Sequence, residues 1–266
     1  MKTRVLSALL AVGLLLLVLF TNNPWVIRIA VCVVSLLALF EIYSVFGYLK
    51  YKLPAAAAVL STAALIFINE QHFILIPLVL FLYLLVMCVM VVMNPEFHIK
   101  DASLMIFFYI YICLSLACIS FTNELPQGGY LVWLIFMGAC VTDTFAYFSG
   151  MLFGKHKLCP RVSPKKTVEG SIGGMAAAVI VILIYGTVLN YLQLTDVSLL
   201  SFGILAFLAS VIAQIGDLTA SVIKRENHKK DFGNIMPGHG GVLDRFDSII
   251  LVAPLVYWFC RIFLLQ

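Results

Sequence analysis

The sequence predicts an all-α, polytopic integral membrane protein of about nine transmembrane helices with its N-terminus in the cytoplasm. Three observations carry that prediction: the composition, the number of long apolar runs, and the segregation of basic residues into alternate loops. Of 266 residues, 63% are hydrophobic, 13% aromatic and only 11% charged, and the mean hydropathy is +1.07. A water-soluble domain carries roughly 25% charged residues, so most of this surface must face lipid. The net charge of +4 acquires meaning only once the charges are placed.

A bilayer core of about 30 Å needs roughly 20 helical residues. Runs that meet this lie at approximately 5–21, 25–49, 54–69, 72–93, 102–121, 129–153, 171–192, 198–223 and 247–265. The first, in "MKTRVLSALLAVGLLLLVLFTNNP", has the basic start of a secretory leader. Its apolar run is too long for one, and no A-x-A-like site follows, so it predicts a membrane helix. The third is short, and Pro54 suits its first turn.

The connections alternate in character. "KYK", "NPEFHIK", "GKHKLCPRVSPKKT" and "KRENHKKDFGNIMPGHGGVLDR" form one set, while "TNNP", "NEQ", "TNELPQ" and "QLTD" form the other. With Lys2 and Arg4, the first set holds 15 of the 17 basic residues, leaving only Arg28 and Arg261 near the opposite face. Positive charge marks the cytoplasmic side. The N-terminus is therefore inside and, after nine crossings, the C-terminus outside. This organises the chain as N-terminal transmembrane helices over 1–128 (about five) and a catalytic transmembrane region over 129–266, with about four helices and two basic cytoplasmic loops. The seven cysteines lie mostly in apolar runs and form no C-x-x-C pair, as expected of small core residues. In the first half, Glu41 alone is an acid deep within a helix. It is either a site residue or a structural partner of Tyr43 or a neighbouring helix.

Chemistry concentrates in the second half. Asp143, Tyr147 and Gly150 share one helix face, as do Gln214, Asp217, Ser221 and Lys224, and Asp244, Asp247 and Ser248 fall together at the start of the last helix. Any one stripe could join helices. Three with acids near one membrane face predict a polar cavity open to the cytoplasm. Asp143, Asp217 and Asp244 gathered there would repel and protonate without cations. Carboxylates lacking an interleaved His or Cys cluster favour Mg²⁺ over Zn²⁺, and His239 alone makes no zinc site. A proton or sodium relay in a transporter would also use such acids. The loops favour phosphate: "SPKKTVEGSIGG" sets Lys165 and Lys166 with a glycine-rich turn before a helix N-terminus, without a Walker A order. The second loop surrounds "PGHGG" with Lys224, Arg225, Lys229, Lys230 and Arg245.

"SVIKRENHKKDFGNIMPGHGGVLDRFD" (221–247) resembles the signature of the CDP-diacylglycerol synthases, or phosphatidate cytidylyltransferases. Ser221, Ile223, Lys224, Arg225, Lys230, Asp231, Gly233, Pro237, His239, Gly240, Gly241, Val242, Asp244, Arg245, Phe246 and Asp247 fall in register. Met236 stands where a Leu, Ile or Phe is expected. "DTFAYFSG" and "SPKKTVEGSIGG" resemble family segments too, so the likeness covers about 143–250.

The resemblance implies that CTP and phosphatidic acid give CDP-diacylglycerol and pyrophosphate at the cytoplasmic face of a bacterial-type inner (plasma) membrane. Its cofactor would be Mg²⁺, with a second cation allowed. The partners are CTP, phosphatidic acid and membrane lipid, with no nucleic acid, and a homodimer is left open. The reading makes Asp217 and Asp244 metal ligands, with Asp143 a third ligand or an acid behind them. Lys165, Lys166, Lys224, Arg225 and Arg245 contact phosphates. Ser163, Thr167, Ser171, Ser221, Lys230, the Gly240–Gly241 backbone and Asp247 belong to substrate binding, and His239 either donates to pyrophosphate or fixes its loop. A cation-coupled transporter, and a cytidylyltransferase for another lipid phosphate, are the rival readings.

Overall fold

The computed structural model describes residues 2–236, 238 and 240–263. Every apolar run becomes a helix: α1 (Lys2–Phe20), α2 (Pro24–Phe46), α3 (Lys52–Phe67), α4 (Ile76–Met93), α5 (Ile99–Glu124), α6 (Gly128–Phe153), α7 (Val168–Tyr191), α8 (Leu199–Glu226) and α9 (Leu243–Phe263). Among the described residues, seven helices are long and apolar enough to cross a membrane, and Leu9–Phe20 and Lys52–Phe67 are shorter apolar helices. At 1.5 Å per residue, the 16 residues of α3 rise only about 24 Å, less than the hydrocarbon thickness. The 28 residues of α8 rise about 42 Å, more than that thickness.

The helix ends follow local chemistry. Asn23 Oδ1 accepts the Trp25 N–H (2.9 Å) ahead of Pro24, and Gly47 at φ 71° closes α2. Ser198 Oγ accepts the Ser201 N–H (3.1 Å) at the start of α8. All three are side-chain or glycine caps of the usual kind. Two helices contain a π-helical turn, Tyr109–Leu114 in α5 and Met137–Val141 in α6.

The chain gathers into two compact units, Met1–Glu124 with Asp231–Arg245, and Leu125–Lys230 with Phe246–Gln266. In the first, Ala38, Leu65, Ile66, Met105 and Ile112 are fully buried, and the Tyr43 and Tyr83 hydroxyls share a hydrogen bond of 2.9 Å. Arg28 and Glu124 form a buried ion pair there. A cation near the less basic face is thus neutralised within the protein.

In the second unit, small residues bring helices together. A Cβ on Gly170 would lie 2.6 Å from the Ala146 carbonyl oxygen, and one on Gly174 2.6 Å from that of Thr142. One on Gly216 would lie 2.6 Å from the Asp247 carbonyl oxygen. The glycines of "VEGSIGG" therefore sit inside α7 as its contact with α6, the close backbone approach that small residues permit between membrane helices. They do not form the phosphate-approach turn expected from the sequence. Before α7 the chain makes a two-stranded antiparallel ribbon, β1 (Lys157–Cys159) and β2 (Ser163–Thr167), pairing Lys157 with Thr167 and Cys159 with Ser163.

Candidate active site

The second unit collects carboxylates from three helices and a lysine from one strand. Asp143 follows the π turn of α6, whose Thr142 hydroxyl donates to the Gly138 carbonyl (2.6 Å). Ser248 of α9 donates through Oγ to Asp143 Oδ2. Asp217 of α8 has Lys166 Nζ 2.5 Å from Oδ2 and Ser221 Oγ 3.4 Å from Oδ1. Asp247 interacts electrostatically with Asp217, Asp143 and Lys224. Asp143, Asp217 and Asp247 thus share one charge environment with Lys166 and Lys224. The helical spacing predicted the acids, but it could not show that Asp247 joins Asp143 and Asp217.

Lys166 turns inward to Asp217, while its neighbour Lys165 is exposed. The ribbon is held from α7. Glu169 accepts the N–H groups of Lys155 (3.0 Å) and His156 (3.2 Å) and meets His156 Nδ1 at 2.6 Å. Thr167 Oγ1 accepts the Gly170 N–H (3.1 Å), capping α7. Thr167, expected among the substrate contacts, therefore has a structural duty. Ser163 and Ser171 are half-buried on β2 and α7.

Other members of the stripes separate. Gln214 Nε2 donates to the Ser210 carbonyl of its own helix (3.2 Å), and the Tyr147 ring is exposed. Lys224 is buried. Arg225 Nη1 donates to the Lys229 carbonyl (3.3 Å), and Lys230 is exposed.

The first unit contains the glycine-rich segment. Gly238 and Gly240 have φ of 78° and 87°, values that glycine adopts without strain. The Met236 N–H donates to the Gly240 carbonyl (3.0 Å). Asp244 Oδ2 accepts the N–H groups of Phe232 and Gly241, both at 2.9 Å. Glu41 of α2 accepts the Val242 N–H through Oε1 (2.9 Å) and the Leu243 N–H through Oε2 (2.8 Å). Glu41 therefore pairs with the start of α9 rather than with Tyr43. Residues 201 positions apart leave no local signal of such a bond. Arg245 is exposed, and His239 lies outside the described residues.

Among the described residues, no group of three His, Cys, Asp or Glu forms a ready-made metal cage. The donors at hand around Asp143 and Asp217 are carboxylate and hydroxyl oxygens. That set suits a hard divalent cation bound by one or two carboxylates together with water and substrate phosphate.

Comparison with known proteins agrees with this polar chemistry in an apolar frame. The sequence profile of the Cytidylyltransferase family matches residues 2–263. The phosphatidate cytidylyltransferase of Haemophilus influenzae is 31% identical over 283 residues, covering 97% of this chain and 98% of that protein. The phosphatidate cytidylyltransferase of Bacillus subtilis is 32% identical over 274 residues, covering 99% and 98% respectively. That of Staphylococcus aureus (strain COL) is 32% identical over 263 residues, covering 96% and 97%. With a profile match over nearly its whole length and full-length relatives above 30% identity, the chain belongs to the cytidylyltransferase family.

Proposed function

We propose that this chain is a phosphatidate cytidylyltransferase, converting CTP and phosphatidic acid to CDP-diacylglycerol and pyrophosphate at the cytoplasmic membrane face. The observation that carries the reading is the cluster of Asp143, Asp217 and Asp247 with Lys166 and Lys224, in a chain of a family with relatives of that name.

An oxygen of the lipid phosphate attacks the α-phosphorus of CTP. The new P–O bond replaces the bond to the β-phosphate, and pyrophosphate departs with that electron pair. The nucleophile is already anionic, so no strong general base is needed. The reaction needs charge neutralisation and in-line placement.

Asp143 and Asp217 are the proposed anchors for Mg²⁺, which when bound would neutralise phosphate charge and template the attack. Asp247 adds negative charge beside them. Asp244 remains a proposed ligand on sequence grounds, oriented by the two N–H groups on its Oδ2. Lys166 neutralises Asp217 when no substrate is bound and would turn to a phosphate oxygen on binding. Lys224, Arg225 and Arg245 would offset the remaining phosphate charge, with Lys165 and Lys230 in the outer field. The acyl chains would stay between helices while the headgroup meets CTP.

The test uses purified full-length protein with phosphatidic acid vesicles, Mg²⁺ and α-³²P-labelled CTP. The label is expected in the organic phase, while γ-labelled CTP leaves its label in water as pyrophosphate. Absence of lipid-borne label with the α-labelled nucleotide would overturn the proposal.

A further inference from the structure

Glu41 is 2% exposed, lies within a membrane-spanning helix, and makes no ion pair with a cationic side chain among the described residues. An uncompensated carboxylate there is costly. Its compensation is the N-terminus of α9, whose free N–H groups and helix dipole favour a negative charge. Both Glu41 oxygens are used, one by Val242 and one by Leu243.

The glycine-rich loop is fitted around this carboxylate. A Cβ on Gly233 would lie 2.5 Å from Glu41 Oε1, and one on Gly241 would collide with the same carboxylate. On its other side, Asp244 Oδ2 gathers the N–H groups of Phe232 and Gly241. Phe232, Gly241, Val242 and Leu243 are therefore held by two acids, one from α2 and one from the first turn of α9. Glu41 also fills the helix N-terminus that would otherwise attract a phosphate, so substrate phosphate must be met elsewhere on the loop.

We propose that Glu41 is a positioning residue for the nucleotide: its carboxylate holds the Val242 and Leu243 N–H groups and packs against Gly241, and so sets the preceding Gly240 backbone in the conformation that receives the CTP phosphates. This rests on the proposed cytidylyltransferase reading. A merely structural acid would change how much enzyme is folded, whereas a positioning acid changes nucleotide affinity selectively.

The experiment compares full-length wild type with Glu41→Gln, Glu41→Asp, Glu41→Ala, Gly241→Ala and the Glu41→Ala/Gly241→Ala double variant. Expected for Glu41→Gln is a rise in KM for CTP on the order of tenfold, with KM for phosphatidic acid within about twofold. Amide-hydrogen exchange over 232–243 should accelerate by a similar factor while α7 exchange is unchanged. Glu41→Asp should recover part of the CTP affinity. Gly241→Ala should cost less in the Glu41→Ala background than in wild type, because the new methyl takes the vacated space. Unchanged KM for CTP in both Glu41→Gln and Glu41→Asp, or strictly additive effects in the cycle, would overturn the assignment. A wild type with no CTP turnover would instead fail the cytidylyltransferase reading. In that case the exchange measurement still decides whether Glu41 fixes the loop.

Discussion

Lys165 and Lys166 are neighbours in the chain, yet Lys165 is exposed while Lys166 turns inward to Asp217. Their effects should differ accordingly. Lys166→Ala is expected to lower kcat/KM on the order of 100-fold, as loss of a charge that neutralises phosphate would. Lys165→Ala should stay within about threefold, since an exposed cation contributes weakly. Steady-state kinetics with CTP varied separates the two, and equal losses would contradict the inward placement of Lys166. Asp217→Asn and Asp143→Asn are expected to lower kcat by about 100-fold or more and to raise the Mg²⁺ concentration for half-maximal rate. Near-normal turnover at low Mg²⁺ would remove them as metal anchors. The acids were legible in the sequence because helical spacing places them on faces. The inequality of the two lysines was not, because strands of three and five residues are too short for alternation to register.

At the scale of elements, the helices were readable because an apolar run of sufficient length has few alternatives in a bilayer. Gly170 was placed in a turn before the helix because glycine before a helix and glycine within it look alike in sequence. Only the neighbouring α6 backbone decides. Gly174→Val should overpack the α6–α7 contact and destabilise the protein by about 1–3 kcal/mol, seen as a lower unfolding temperature in detergent. A neutral outcome would show that α6 can move away from α7. Thr167→Ala should remove the α7 cap at a cost of about 1 kcal/mol and raise amide exchange over 167–170. Activity should fall only through the ribbon that α7 supports.

For the whole molecule, the charge distribution predicts which loops share a side of the membrane. Lys157 in the ribbon and Asp196 after α7 are both exposed and separated by one candidate span. In a cysteine-free background, a single cysteine at 157 should react with an impermeant thiol reagent only from the cytoplasmic side, and one at 196 only from the other. Labelling of both from one side would reverse the topology. Arg28 did not obscure the pattern because its charge is matched by Glu124 inside the first unit. What the sequence could not reveal at this scale is that Asp231–Arg245 groups with helices more than a hundred residues earlier. Within that grouping Glu41 bonds Val242 and Leu243, a tertiary contact without a periodic signature.

The π turn at Met137–Val141 bears on the tolerance of this chain to insertion and deletion. Such a turn is an α-helix carrying one extra residue. Its presence rotates everything downstream by about 100° relative to a regular helix. Asp143 owes its azimuth to that surplus residue. Deleting one residue from 137–141 should restore a regular helix and could even tighten it, yet swing the carboxylate away from Ser248. Circular dichroism would then report an intact helical protein while CTP turnover disappears. Shortening by one residue would thus be harmless to the helix and ruinous to the active site, so length, as much as residue identity, is constrained in this stretch.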